Sequence, residues 1–98
     1  MGDNYTIAEI KSIISPIAKA HGVNRVYLFG SYARGDATEN SDIDLWIESG
    51  RINTLFALGA FYSDLEEGLK KTIGITTEDA ISENFRNQIK DEELILYG

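Results

Sequence analysis

The first part of the chain has the apolar spacing of an amphipathic helix. Thr6 and Glu9 stand at the spacing of a capping box, in which each side chain accepts a hydrogen bond from the other residue's backbone N–H. Gly22 is suited to end a helix in the left-handed conformation. The pattern predicts a helix over roughly residues 6–20, kinked or restarted at Pro16. Its apolar face is formed by Ile7, Ile10, Ile13, Ile14 and Ile17.

Three later segments have the pattern of β-strands. Residues 25–29 are apolar on both faces, which is typical of a central strand that is covered on both sides. Residues 42–48 alternate strictly, so that Asp42 and Asp44 share one face and the aliphatic residues share the other. Residues 72–76 alternate in the same way over a shorter stretch. The sequence therefore predicts a small sheet.

Two further segments have helical spacing, at about residues 53–70 and 78–91. Together with the strands they give the element order α-β-β-α-β-α. This order predicts an α/β (α+β) fold in which a small mixed sheet of about three strands is flanked by helices. We expect residues 1–98 to form one domain. The apolar tail at residues 94–97 is a candidate interface.

A Gly-Ser pair follows the predicted central strand. Gly30 lets the backbone approach a ligand closely. If Ser31 opens a helical turn, its hydroxyl and the nearby backbone N–H groups face one point and suit the phosphates of a nucleotide. Arg34 would contact phosphate there, or pair with Asp36 or Glu39 in the following loop. Taken alone, a Gly-Ser pair is far more often a simple turn.

Asp42 and Asp44 are the candidate metal ligands. Their carboxylates lie on one strand face and can converge on one or two divalent cations. Mg²⁺ favours such a site, because phosphate oxygens and water complete its octahedron. Two-metal sites of this type hold an attacking and a leaving oxygen in line across phosphorus. The alternative is a solvated strand face. That alternative is weakened because aspartate is a poor strand former and two like charges on one face repel each other.

Composition narrows the choice of partners. The 98 residues include nine basic and sixteen acidic ones, which gives a formal net charge of −7. Such a domain repels nucleic acid and favours a basic protein partner, unless the charge serves solubility alone. There is no cysteine, no apolar run of membrane-spanning length and no signal-peptide pattern. We therefore expect a cytoplasmic protein that binds neither membrane nor nucleic acid.

Gly30-Ser31, ten intervening residues and Asp42-x-Asp44 together resemble the minimal nucleotidyltransferases of the DNA polymerase β superfamily, and most of all the MNT antitoxins of HEPN/MNT toxin–antitoxin pairs. The resemblance covers nearly the whole chain. It implies the nucleotidyltransferase fold, with Gly30 and Ser31 holding the triphosphate of ATP and with Asp42 and Asp44 binding Mg²⁺. It also implies the reaction, in which a tyrosine hydroxyl of a HEPN toxin in complex with this protein attacks the α-phosphorus and receives AMP.

The sequence departs from the family pattern at Gly74. The family places a third carboxylate on the next strand, and strand parity assigns Gly74 to that position. Its loss weakens transition-state stabilisation unless Glu78 or Asp79 replaces it. One alternative is therefore a catalytically impaired nucleotide-binding module that neutralises a toxin by direct contact. A second is a free-standing enzyme that modifies a small molecule, although the sequence offers no extra helical domain for such an acceptor.

Overall fold

The computed structural model describes residues 5–98, and within them four helices alternate with four strands. None of the helices in these residues is long and apolar enough to cross a bilayer. In chain order the elements are α1 (Ile7–His21), β1 (Arg25–Phe29), α2 (Ser31–Arg34), β2 (Ile43–Glu48), α3 (Leu55–Leu69), β3 (Ile73–Thr77), α4 (Glu83–Ile89) and β4 (Leu94–Tyr97).

The first helix begins and ends as predicted. The hydroxyl of Thr6 accepts a hydrogen bond from the backbone N–H of Glu9 at 3.1 Å, and Oε1 of Glu9 accepts one from the backbone N–H of Thr6 at 2.8 Å. Gly22 ends the helix with a left-handed φ of 75°. Of the kink or restart predicted at Pro16, the restart is wrong, because α1 continues through this residue as one helix. Buried residues on both sides of Pro16, among them Ile14 and Ala18, hold this part of the helix against the core.

The sheet is mixed, as predicted, and its strand order is β3-β2-β1-β4. The neighbours β1 and β2 are antiparallel, whereas β2 and β3 are parallel. Helix α3 makes the crossover that a parallel pair requires. The central strands β1 and β2 are covered on both faces, which explains why residues 26–29, after the exposed Arg25, are apolar.

The fold has two elements more than the order α-β-β-α-β-α. One is α2, the short helical turn that Ser31 opens. The other is β4, since the apolar tail pairs antiparallel with β1 and makes the sheet four-stranded instead of about three-stranded. The physical reason is that β1 has a second edge, whose backbone donors and acceptors need partners. Leu96 of this strand is buried in the main core, whereas Ile95 is 54% exposed.

The two faces of the sheet are packed differently. Helices α1 and α3 cover one face, where they meet the aliphatic residues of β2 in the main core. The other face carries a smaller cluster in which Ile89 of α4 packs on Tyr27 and Trp46. The rings of Tyr27 and Trp46 stack with centroids 4.2 Å apart, and Trp46 is 1% exposed. Asp44 shares this second face but lies nearer the start of β2.

Candidate active site

Strand pairing brings the two parts of the sequence motif together. Phe29, the last residue of β1, is paired with Asp44 in β2. Gly30 follows with a φ of 80° and a ψ of −156°, a backbone conformation that is nearly exclusive to glycine. A Cβ atom on Gly30 would also collide with Oδ2 of Asp44. Glycine is therefore required here twice, once for the backbone and once for the close approach to the carboxylate.

Helix α2 positions Ser31 and Arg34 beside this contact. Gly30 precedes its first residue, Ser31, and the backbone oxygen of Gly30 accepts a hydrogen bond from the N–H of Arg34 at 3.0 Å. The guanidinium of Arg34 is half-exposed, and its Nε lies 3.3 Å from Oδ2 of Asp36. This hydrogen bond raises the pKa of Arg34. The predicted pairing with Asp36 is confirmed, whereas Glu39 instead uses its backbone oxygen to accept from Lys71.

The two aspartates lie where strand parity predicts. Asp42 is exposed immediately before β2, and Asp44 is half-buried within it. Burial of its carboxylate raises the pKa of Asp44, and the negative charge of Asp42 raises it further. The cation of Arg34 acts in the opposite direction. Burial and the neighbouring negative charge of Asp42 therefore both disfavour the charged form of the Asp44 carboxyl group.

This donor set fits Mg²⁺. Oδ2 of Asp44 lies beside Gly30 and Oδ1 lies beside Gly74, so the carboxylate stands between the two glycines. Within residues 5–98 there is no cluster of three or more histidines, cysteines or acids arranged around a metal position. Two carboxylates alone still suit Mg²⁺, because that ion retains several water or phosphate oxygens. A bound cation would also relieve the repulsion between Asp42 and Asp44.

Gly74 lies where the third carboxylate of the family pattern is expected to point at the site. It is paired with Asp44 across the parallel strands β2 and β3. A Cβ atom on Gly74 would lie 3.0 Å from Oδ1 of Asp44. The alternative in which Glu78 replaces the missing carboxylate is wrong. Its carboxylate is bound to the backbone N–H and hydroxyl of Ser49, beyond the opposite end of β2.

One acidic residue of the site was missed in the sequence. Glu92 lies in the turn between α4 and β4, and its Oε2 accepts a hydrogen bond from the backbone N–H of Gly30 at 2.8 Å. Both carboxylate oxygens also lie 3.4 Å from Nη1 of Arg34. No local pattern could place Glu92 here, because the contact depends on β4 pairing with β1.

Comparison with known proteins identifies the class of protein to which this chain belongs. The nucleotidyltransferase domain model matches residues 7–97, so this chain belongs to the nucleotidyltransferase domain family and is a nucleotidyltransferase. A relative from Methanocaldococcus jannaschii, named as a candidate protein adenylyltransferase, is 41% identical over 86 residues, which are 88% of this chain and 92% of the relative. The resemblance to minimal nucleotidyltransferases is thereby confirmed.

Two solved structures share the fold. One is a toxin–antitoxin structure with AMP-PNP, which superposes with a TM-score of 0.76 at 22% identity and covers 90% of this chain and 73% of that one. The other is a tri-AMPylated HEPN toxin of Shewanella oneidensis in complex with an MNT antitoxin, with a TM-score of 0.69 at 19% identity over 96% of this chain and 73% of that one. These likenesses confirm the predicted nucleotidyltransferase fold.

Proposed function

We propose that this protein transfers AMP from ATP to a hydroxyl group on a protein partner, and that the partner is a HEPN toxin which the transfer neutralises. The observation that carries the proposal is the pairing of β1 with β2, which brings Gly30 against the Asp44 carboxylate, with Ser31 directly after Gly30 in the chain. The name of the archaeal relative supports transfer of AMP to a protein. The AMPylated HEPN toxin in a structure of the same fold supports the class of partner.

Each motif residue has a role in this proposal. Asp42 and Asp44 hold Mg²⁺, which when bound supplies positive charge to the phosphates and to the reacting oxygens. Gly30 admits the phosphate chain close to the backbone, Ser31 donates its hydroxyl to a phosphate oxygen, and Arg34 adds a cation. The acceptor hydroxyl attacks the α-phosphorus, the bond from that phosphorus to the bridging oxygen breaks, pyrophosphate leaves and the hydroxyl proton passes to solvent.

The net charge of −7 supports a basic protein as the acceptor. Opposite net charges accelerate the encounter of two proteins and disfavour wrong partners. The same charge repels a nucleic acid backbone. Both arguments favour a protein over a nucleic acid in the complex.

Gly74 favours a second candidate function, in which the protein neutralises its toxin by contact and transfers AMP slowly or not at all. The side-chain position that faces Asp44 from β3 carries no carboxylate. Gly74→Asp would restore one, and Gly74→Asn has the same size without the charge. If the missing carboxylate limits the reaction, Gly74→Asp should transfer AMP at least about tenfold faster than Gly74→Asn. Equal rates in the two variants would show that it does not.

The test of the proposed function is intact-mass spectrometry of the protein encoded beside this one, after incubation with this protein and Mg²⁺-ATP. The expected result is the added mass of AMP, with the rate reduced at least about a hundredfold by Asp42→Asn/Asp44→Asn. Glu67→Gln/Asp91→Asn removes the same charge from exposed positions and serves as the control. A stable complex without added mass would instead favour neutralisation by contact.

A further inference from the structure

Glu92 connects the C-terminal strand with the candidate site. Its backbone N–H donates to the carbonyl oxygen of Ile89 at 3.0 Å, which fixes the turn between α4 and β4. Its side chain is 23% exposed and reaches across to Gly30 and Arg34. One carboxylate thus accepts a backbone hydrogen bond and pairs with a cation at the same time.

The groups that Glu92 occupies are those that the proposed function assigns to phosphate. Carboxylate and phosphate oxygens both accept charge-assisted hydrogen bonds from backbone N–H groups and from guanidinium. The single N–H of Gly30 already has an acceptor 2.8 Å away, and the guanidinium of Arg34 already faces Asp36 and Glu92. A phosphate chain that binds these groups must therefore replace a carboxylate.

We propose that Glu92 substitutes internally for phosphate: it satisfies Gly30 and Arg34 while the site is empty and is displaced when the phosphate chain binds. This inference rests on the proposed function, because that function places phosphate at Gly30 and Arg34. Because Glu92 must be displaced, the site should exclude anions that make few contacts with the protein. A ligand binds only if its contacts, including those through a metal at Asp42 and Asp44, contribute more free energy than the hydrogen bonds that Glu92 gives up.

A purely structural role for Glu92, in which it only holds the backbone of Gly30 in place, predicts a different result. Bracing the backbone of Gly30 requires an acceptor of the right length, and a glutamine oxygen supplies one without charge. Substitution for phosphate, in contrast, requires the negative charge of the Glu92 carboxylate, which lies near that of Asp44. Glu92→Gln therefore separates the two roles. It keeps the shape and the acceptor, and it removes the charge that competes with phosphate.

The test is a titration with inorganic tripolyphosphate in the presence of EDTA, so that no metal contributes. Glu92→Gln should bind tripolyphosphate about tenfold more tightly than the wild type, because removing a competing charge-assisted hydrogen bond is worth about that factor. Asp91→Asn removes the same charge from the neighbouring exposed position and should leave the affinity unchanged. An unchanged or weaker affinity in Glu92→Gln would overturn the proposal.

Nuclear magnetic resonance of the wild-type protein tests the same displacement without depending on how well Glu92→Gln folds. The side-chain carboxyl ¹³C resonance of Glu92 should move toward that of a solvent-exposed glutamate as tripolyphosphate is added, and the amide resonance of Gly30 should respond over the same range. Phosphate that binds without moving the Glu92 resonance contradicts displacement. If the wild type transfers AMP and yet Glu92 is not displaced, the inference fails while the proposed function stands. If neither protein binds tripolyphosphate, the inference fails because no phosphate is held at Gly30.

Discussion

The two halves of the candidate site differ in how their charges are balanced. The phosphate half, formed by Gly30, Ser31 and Arg34, already meets carboxylates of this chain, since Glu92 bonds to the N–H of Gly30 and pairs with Arg34. The metal half, formed by Asp42 and Asp44, consists of two carboxylates that repel each other, and the pKa of Asp44 is raised by burial and by Asp42. The backbone N–H and the guanidinium proposed to bind an anion thus already have carboxylate partners, whereas the two carboxylates proposed to bind a cation raise each other's energy by carrying like charges.

This difference predicts what each ligand must do. A cation bound at the metal half removes the repulsion between the carboxylates of Asp42 and Asp44. The removal of this repulsion favours cation binding. Phosphate at the phosphate half must replace an existing bond, so its binding is opposed. We expect nucleotide affinity to depend strongly on divalent metal for this reason.

The largest expected effect comes from the contact between the halves. Gly30→Ala should lower the free energy of unfolding by about 3 kcal/mol, because the backbone conformation is nearly exclusive to glycine and the new Cβ meets the carboxylate of Asp44. Gly35→Ala is the control. Gly35 also has a positive φ, of 87°, but a Cβ there would meet nothing within 4 Å, so its cost should be about 1 kcal/mol. Urea unfolding measures both. Equal losses would show that the two halves are not in contact.

The smallest expected effect is a pH dependence in the metal half. Because the pKa of Asp44 is raised in the folded state, the folded protein binds a proton more readily than the unfolded chain, and the stability contributed by Asp44 falls as pH rises through the raised pKa. In EDTA, Asp44→Asn should therefore melt above the wild type at pH 8, and the gap should close as the pH approaches the ordinary aspartate value of about 3.9. Saturating Mg²⁺ should stabilise the wild type and not the variant. If Asp44→Asn melts below the wild type at pH 8 in EDTA, the ionised carboxylate of Asp44 does not destabilise the folded protein, which would contradict this prediction.

Local patterns were sufficient to predict the parts of the fold and site that depend on neighbouring residues. Helix α1 and its capping box follow from apolar spacing and from the Thr6–Glu9 pair, both of which are local. The position of Asp42 and Asp44 on one face follows from the two-residue period of a strand. The same parity correctly placed Gly74 opposite Asp44, because the parallel register of β2 and β3 preserves it.

The remaining parts depend on pairings between distant segments. The apolar tail at residues 94–97 could not be assigned as β4 from the sequence. Its partner is β1, some seventy residues earlier, and the free edge of β1 is known only once the sheet order is known. The contact of Glu92 with Gly30 follows from that pairing and was missed for the same reason. Glu78 was one possible replacement for the missing carboxylate, but the chain direction of β3 carries it to Ser49, at the end of β2 that lies away from Asp44.

The most direct test of a single site built from both halves is the affinity for AMP-PNP, measured by calorimetry with Mg²⁺ and with EDTA. With Mg²⁺, Ser31→Ala and Asp42→Asn/Asp44→Asn should each weaken binding at least about tenfold, which corresponds to about 1.4 kcal/mol. With EDTA, the aspartate variant should bind at least as well as the wild type, because only repulsion from the phosphates has been removed. Equal affinity of the wild type and the aspartate variant in Mg²⁺ would contradict a nucleotide site that joins the two halves.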